Sequence, residues 1–332
     1  MTHLTSHPSA CVCRRTLLLA GLGAMVSQSA LAQPAMGRIV VGFPPGGAAD
    51  VLARMLAVSL AGTMASNVIV DNRVGAASRI AVEHVKDAPA DGSVMLLVPD
   101  GAMMLYPSVY RTLKYDPVRD FIPVTRLVNM ALVMFVGPGV PATVRTVADY
   151  VAWAKTDPKR AVYATPAAGS VPHFLGAMLA RVTGLDLQPV HYKGGTPAIV
   201  DLVGGQVPMG FGSVSDGLAM VKAGKIRALA ASGARRTTAL PDVPTFLELG
   251  YTDLVAEIGL GTFVPARTPR DDVARLDAAT QRALASRELL AKLPDWGFDI
   301  SAEGPAAFAA RLEKERRRWT AIVKSTGFVA ME

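Results

Sequence analysis

Short runs of valine, isoleucine and leucine recur along the chain, and between them apolar residues fall at three- and four-residue intervals. The runs predict buried strands and the intervals predict amphipathic helices. Arg38-Ile39-Val40-Val41 reads as a strand and Phe43-Pro44-Pro45-Gly46-Gly47 as a turn. Asp50 then opens a helix with Val51, Leu52, Met55, Leu56 and Leu60 on one stripe. Residues 67–70 and 94–98 predict two further strands, with a helix over 78–87 between them. Such uniformly apolar strands in β-α-β-α-β order point to a parallel sheet covered on both faces. A second alternation follows, with strands at 131–136, 161–164, 188–192, 207–211 and 226–231. Helices are expected between them over 146–155, 172–182, 196–203 and 215–222. The chain then predicts a short helix over Thr245–Leu249, a strand over 258–264, and closing helices near 270–285 and 305–323.

No long flexible linker separates the two α/β units. The chain is therefore expected to cross between two lobes more than once, near 131–136 and 258–264. This divides it into lobe 1 (36–131 plus 260–332) and lobe 2 (132–259). The 332 residues suit two domains rather than one. In open α/β sheets, ligands sit outside the carboxyl ends of the strands, so a cleft between the two lobes is the expected site.

The first 32 residues change the composition. Arg14–Arg15 precede an uncharged apolar run from Thr16 to Val26, and Ala30-Leu31-Ala32 follows. A basic start, a short apolar stretch and an A-x-A site describe a secretory signal cleaved near Ala32. The flanks of the arginine pair favour the general secretory route over twin-arginine export. The chain's only cysteines, Cys11 and Cys13, lie in this segment, so the exported residues 33–332 have neither disulfide nor thiol chemistry. The formal charge of +7 falls to +5. The densest charge run, Glu313 to Arg318, mixes signs on a helix and lacks the aromatic interleaving of nucleic-acid binders.

Four strand-to-helix loops hold the candidate binding residues. Phe43, Pro45, Gly46, Gly47 and Asp50 form the first. Its glycines allow close backbone approach, and free amides at the helix start favour an anion. An ordinary turn with Asp50 as a cap is the other reading. Thr165, Ala168, Gly169, Ser170 and His173 form the second, Lys193, Gly194, Gly195 and Thr196 the third. Ser213 belongs to the fourth, where it lines a cleft or caps a helix. Enzyme signatures are missing: the sequence has no nucleophile elbow, P-loop, Gly-x-Gly-x-x-Gly fingerprint or helical metal-ligand pair. The expectation is a protein without catalysis, cofactor or metal. A secreted α/β hydrolase and an extracytoplasmic sensing module are the alternatives.

Taken together, the motifs resemble the Bug-type extracytoplasmic solute receptors of tripartite tricarboxylate transporters. The resemblance is carried by Pro45-Gly46-Gly47-Ala48-Ala49-Asp50, Val70-Asp71-Asn72-Arg73-Val74-Gly75-Ala76 and Ala88-Pro89-Ala90-Asp91-Gly92. It continues through Tyr192-Lys193-Gly194-Gly195, Gly204-Gly205-Gln206-Val207, Leu240-Pro241-Asp242-Val243-Pro244-Thr245 and Pro265-Ala266-Arg267-Thr268-Pro269. It implies a two-lobed periplasmic-binding-protein fold, a periplasmic location, and a monomer that hands a small organic acid to membrane permease subunits, with no nucleic-acid partner. It also exposes departures. Asp100 stands where a small hydroxyl residue is usual and Gly259 where an aromatic is common. Arg79, His191 and Gly212 replace a small polar residue, a proline and an acid. If Asp100 faces the cleft, it repels a second ligand carboxylate; if not, it is a turn or cap residue. Gly259 is expected to enlarge the pocket.

Overall fold

The structure is a computed structural model, and it describes residues 36–332. The expected export signal lies outside the described residues.

Ten strands form one hydrogen-bonded system with two halves. In the first, β1 (Met36–Val41) runs parallel to β2 (Asn67–Asn72) and β3 (Val94–Pro99). β9 (Glu257–Pro265) lies antiparallel between β3 and β4 (Phe121–Val136), and β10 (Phe298–Glu303) closes the far edge. In the second half, the C-terminal end of β4 pairs with β7 (Met209–Ser213) and β8 (Arg227–Ala231). β7 pairs with β5 (Val162–Thr165), which pairs with β6 (Gln188–His191).

β4 therefore belongs to both lobes. Its residues from Phe121 to Ala131 pair with β9, and those from Leu132 to Val136 pair with β7. This geometry aims the lobes at each other. β4 runs parallel to β1 and β3 and leaves the first sheet at their carboxyl ends. It enters the second sheet antiparallel to β7, so the carboxyl ends of β5, β6 and β7 point back. The crossing expected near 258–264 is placed differently: β9 stays in the first sheet, and the return crossing is the segment from Ser232 to Ala256. Fully buried Ser232 holds it, donating its amide to Leu132 O and its hydroxyl to Ala256 O while accepting from the Leu132 amide.

The helices follow the apolar stripes. α1 (Ala48–Leu60) buries Leu52, Ala53, Leu56 and Leu60, and α2 (Arg79–Lys86) buries Ala81, Val82 and Val85. α3 (Gly101–Met104) and α4 (Tyr106–Val109) are short. In the second lobe, α5 (Val147–Ala154), α6 (Val171–Thr183), α7 (Gly195–Val203) and α8 (Val214–Lys222) each follow the pattern within two residues of expectation. α9 (Arg270–Leu284), α10 (Arg287–Lys292) and α11 (Pro305–Ser325) complete the chain. One apolar core runs from α2 and β3 through α11 to α6 and β5, so Trp319 and Phe174 pack the lobes on a common face. Separate cores fill the other face of each lobe.

Several elements differ from the sequence pattern, the short α3 and α4 among them. The strand expected at 131–136 begins ten residues earlier, because Pro123, Arg126 and Asn129 interrupt its apolar run. α10 and β10 were not expected at all. Thr245–Leu249 is one hydrogen-bonded turn, not a helix: Thr245 and Glu248 bond each other's backbone amides, and Gly250 follows at φ 85°.

Candidate functional site

Lobe 2 presents three loops, two of them joined by direct bonds. The Tyr192 amide donates to Thr165 O and the Gly194 amide to Pro166 O, so the loops after β5 and β6 form one surface. Ser170 caps α6. Its hydroxyl donates to Ala167 O at 2.7 Å, lies 3.2 Å from the Thr165 hydroxyl, and accepts from the His173 amide at 3.4 Å. His173 Nδ1 accepts from the Gly169 amide at 3.0 Å. The His191 ring stands edge-on to His173, with centroids 4.7 Å apart, and Phe328 of the C-terminal tail packs on the other side at 5.6 Å. Ser213 resolves to a cap: its amide and hydroxyl both donate to Asp216 at the start of α8. The Asp216 carboxylate fills the space that a side chain on Gly195 would need. Lys193 and Thr196 are exposed, and Ala168 is half-buried.

In lobe 1 the loop after β1 is held from within. Asp50 is buried at the third position of α1. Its carboxylate accepts from the Gly46 amide at 2.9 Å, from Asn72 Nδ2 at 2.8 Å and from Arg54 at 2.9 and 3.1 Å. Burial alone pushes the Asp50 carboxyl up, but the bonds from Arg54, Gly46 and Asn72 outweigh it and hold the group below the ordinary carboxylate range. Asp50 thus shapes the loop, leaving Pro45, Gly46 and Gly47 exposed and Phe43 half-buried beside it.

A rim segment that the sequence reading did not single out as a site lies next to it. Ala76, Ala77 and Ser78 all have positive φ, at 47°, 54° and 72°. Three consecutive non-glycine residues in this region are costly and persist only when clamped. Here Ser78 Oγ donates to Gly42 O and Tyr106 Oη donates to Ala77 O. Arg79 closes the turn from behind, stacked 3.9 Å over the Tyr110 ring.

The arrangement favours an anion. The starts of α1, α6 and α7 each turn the positive end of the helix dipole outward, although at α6 Pro172 has no N–H and the His173 amide is taken by Ser170. Lys193 adds a charge with no ion-pair partner. The two histidines add none at neutral pH. Burial, with a smaller contribution from His191, pushes His173 down to about 4, and burial also lowers His191. Unfolded His173 takes up a proton near pH 6.5 that the folded protein refuses until about pH 4. The melting temperature is therefore expected to fall as pH drops through that window. His173→Gln, which keeps an acceptor for Gly169 without titrating, should flatten the fall by a few degrees. An unchanged slope in the variant would refute the assignment.

Asp100 and Gly259 occupy a different place. Asp100 is buried, and its carboxylate meets buried Arg126 of β4 at 2.9 Å. Burial still holds Asp100 above the ordinary carboxylate range, with Arg126 and the surrounding hydrogen bonds opposing. A Cβ on Gly259 would lie 2.5 Å from Arg126 Nε, so the space at Gly259 holds the guanidinium rather than enlarging a cleft. The two departures noted in the sequence are thus parts of one ion pair. The missing partner, Arg126, was not among the expected site residues.

Among the described residues no cluster of metal-ligating side chains occurs, and no helix is long and apolar enough to cross a membrane. Known proteins agree with the geometry. Protein BugT of Bordetella pertussis is 30% identical over 321 residues, covering 94% of this chain and 98% of its own length. The structure of R. palustris Rpa4515 with adipate superposes with a TM-score of 0.80 at 30% identity, over 90% of this chain and 99% of that one. MatC from Rhodopseudomonas palustris with bound malate gives 0.75 at 27% identity, over 87% and 99%. The fold is that of the two-lobed periplasmic binding proteins. Residues 52–328 match the model of the tripartite tricarboxylate transporter family receptor, and the chain belongs to that family.

Proposed function

We propose that this chain is an exported, non-catalytic receptor that takes a small carboxylate between its lobes and delivers it, as a monomer, to a tripartite tricarboxylate-type permease. The observation that carries the reading is the set of helix starts after β1, β5 and β6, whose positive dipole ends lie at the strand ends where the lobes face each other. Adipate and malate in the two similar structures support a carboxylate class. Phe43, Pro45, Gly46 and Gly47 are assigned to the lobe 1 wall. Thr165, Ala168, Gly169, Ser170, Lys193, Gly194, Gly195 and Thr196 are assigned to the lobe 2 wall. Asp50, His173 and Ser213 position these loops, and Asp100, committed to Arg126, contributes no free charge. The two lobes close on the ligand by rotation about β4 and the Ser232–Ala256 crossing, with the whole of β9 moving with lobe 1. The segment up to Ala32 is assigned as the export signal.

Thermal shift against mono- and dicarboxylates, amino acids and aromatic acids tests the reading. A true ligand at about 100 times its Kd stabilises by roughly 2.7 kcal/mol, or about 5 °C or more. Lys193→Glu should weaken that ligand about tenfold by placing a like charge beside the carboxylate. A panel with no stabilising member, or a Lys193→Glu protein with undiminished response, would count against it.

A further inference from the structure

One large cavity among the described residues is not between the candidate binding loops. It measures about 930 Å³ and lies beside β10 and the chain that follows β8. Both β8 and β10 pair directly with β4, whereas β1, β5 and β6 lie further out in the two sheets. Of the residues assigned above to loops or ion pair, only Asp100 and Arg126 border this cavity. Its walls come from both lobes: β4, β10 and α11 on one side, the loop around Arg235 and the return crossing on the other.

Charged side chains line it, and Arg236 among them is paired outside the cavity with Glu248. Each carboxylate on its wall already has a partner. Glu303 and Glu257 face Arg311, at 2.8 and 3.9 Å. Glu315 faces Arg318 at 3.3 Å, and Asp100 faces Arg126. Asp299 accepts from the Thr238 amide and hydroxyl at 3.2 and 2.6 Å. Two lining cations have no ion-pair partner among the described residues, Arg235 on the lobe 2 loop and Lys314 on α11, and both are exposed. The volume is that of a small-molecule site.

We propose that this hinge-side cavity is a second binding site, for a small multivalent anion held between Arg235 and Lys314. The recognised chemistry is two or more anionic oxygens on one compact molecule, supplied by a polycarboxylate or by a phosphate compound. An arginine and a lysine suit both: the guanidinium fork pairs two oxygens, and the ammonium meets a third as a point charge. Arg126 and Arg311 face Asp100, Glu303 and Glu257, so the floor holds no free cation and the ligand's charge is met at the rim.

Citrate and pyrophosphate, titrated separately into the full exported chain at low ionic strength by calorimetry and thermal shift, serve as probes. Binding of either supports the site, and the stronger of the two names the source. Arg235→Ala/Lys314→Ala should weaken that probe at least tenfold, while Arg235→Lys/Lys314→Arg should retain it within about threefold. Ala168→Trp, which crowds the loop after β5 and does not border this cavity, should leave the probe's affinity unchanged. No response to either anion, equal affinity in the alanine double variant, or loss of the response in Ala168→Trp would overturn the proposal. The Ala168→Trp arm separates this site from the cleft reading, because a failed carboxylate panel leaves the probe titration intact.

Discussion

Arg126→Leu is expected to lower stability by about 3–5 kcal/mol, because it leaves the Asp100 carboxylate buried without its cation. One Asp100 oxygen already has no hydrogen-bond partner, so nothing nearby substitutes for the guanidinium. The defect should depend on pH with a definite sign. Burial raises the folded pKa of Asp100, and losing Arg126 raises it further. A carboxyl with a raised folded pKa costs stability as pH climbs from its unfolded value near 4 through the folded one. The variant should therefore be closest to the parent near pH 4 and furthest from it near pH 7. Adding Asp100→Ser should recover most of the loss, since removing both members of a buried pair is far milder than removing one. Denaturant melts of the three proteins at two pH values decide the matter. An additive double variant would show that the two side chains act independently.

Gly169→Val is expected to produce the second large effect, in binding as well as stability. Gly169 sits at φ 67°, and a Cβ there would lie 2.4 Å from Val109 Cγ1 and 2.9 Å from Met331 Cε. A β-branched residue adds about 1–2 kcal/mol of backbone strain to 1–3 kcal/mol of overpacking. The site links three regions. Val109 ends α4 in lobe 1, and Met331 bonds both flanks of that turn through its amide and carbonyl. The Gly169 amide holds His173. Displacing this loop should misplace the α6 start, so carboxylate affinity should fall more than tenfold while far-ultraviolet dichroism stays native. Retained affinity would show that the 165–170 loop does not touch the ligand.

The regular part of the fold was legible because its apolar residues repeat with the period of the element they build. α1, α6 and β3 are examples. The first half of β4 was not, since Pro123, Arg126 and Asn129 give it the look of a loop. Arg126 is buried only because Asp100 and Gly259, far away in sequence, provide charge and space. Both had stood out as departures, and a stray carboxylate beside a stray vacancy was the available signal for a buried cation. The candidate loops were legible as glycine-rich strand-to-helix turns. Their internal order was not: Asp50 turned inward to Gly46, Ser213 became a cap, and His191 met His173 across two strands. Such contacts depend on which strands are neighbours, and local pattern does not encode that. The rim at Ala76–Ser78 was hidden for a related reason, because alanine carries no mark of a left-handed backbone.

Sharing β4 between the lobes also dictates an order of assembly. Lobe 2 can pair its strands once residue 231 has emerged. Lobe 1 cannot close its sheet then, because Leu96 of β3 waits for Phe263 of β9, and the Thr125–Thr262 bond spans 137 residues. Contacts of such separation form late and slowly. Until β9 arrives, β3 offers an open, wholly apolar edge, the kind of strand that recruits other chains. The growing chain is thus most vulnerable in its middle period, with the second-made lobe formed and the first-made lobe still unfinished.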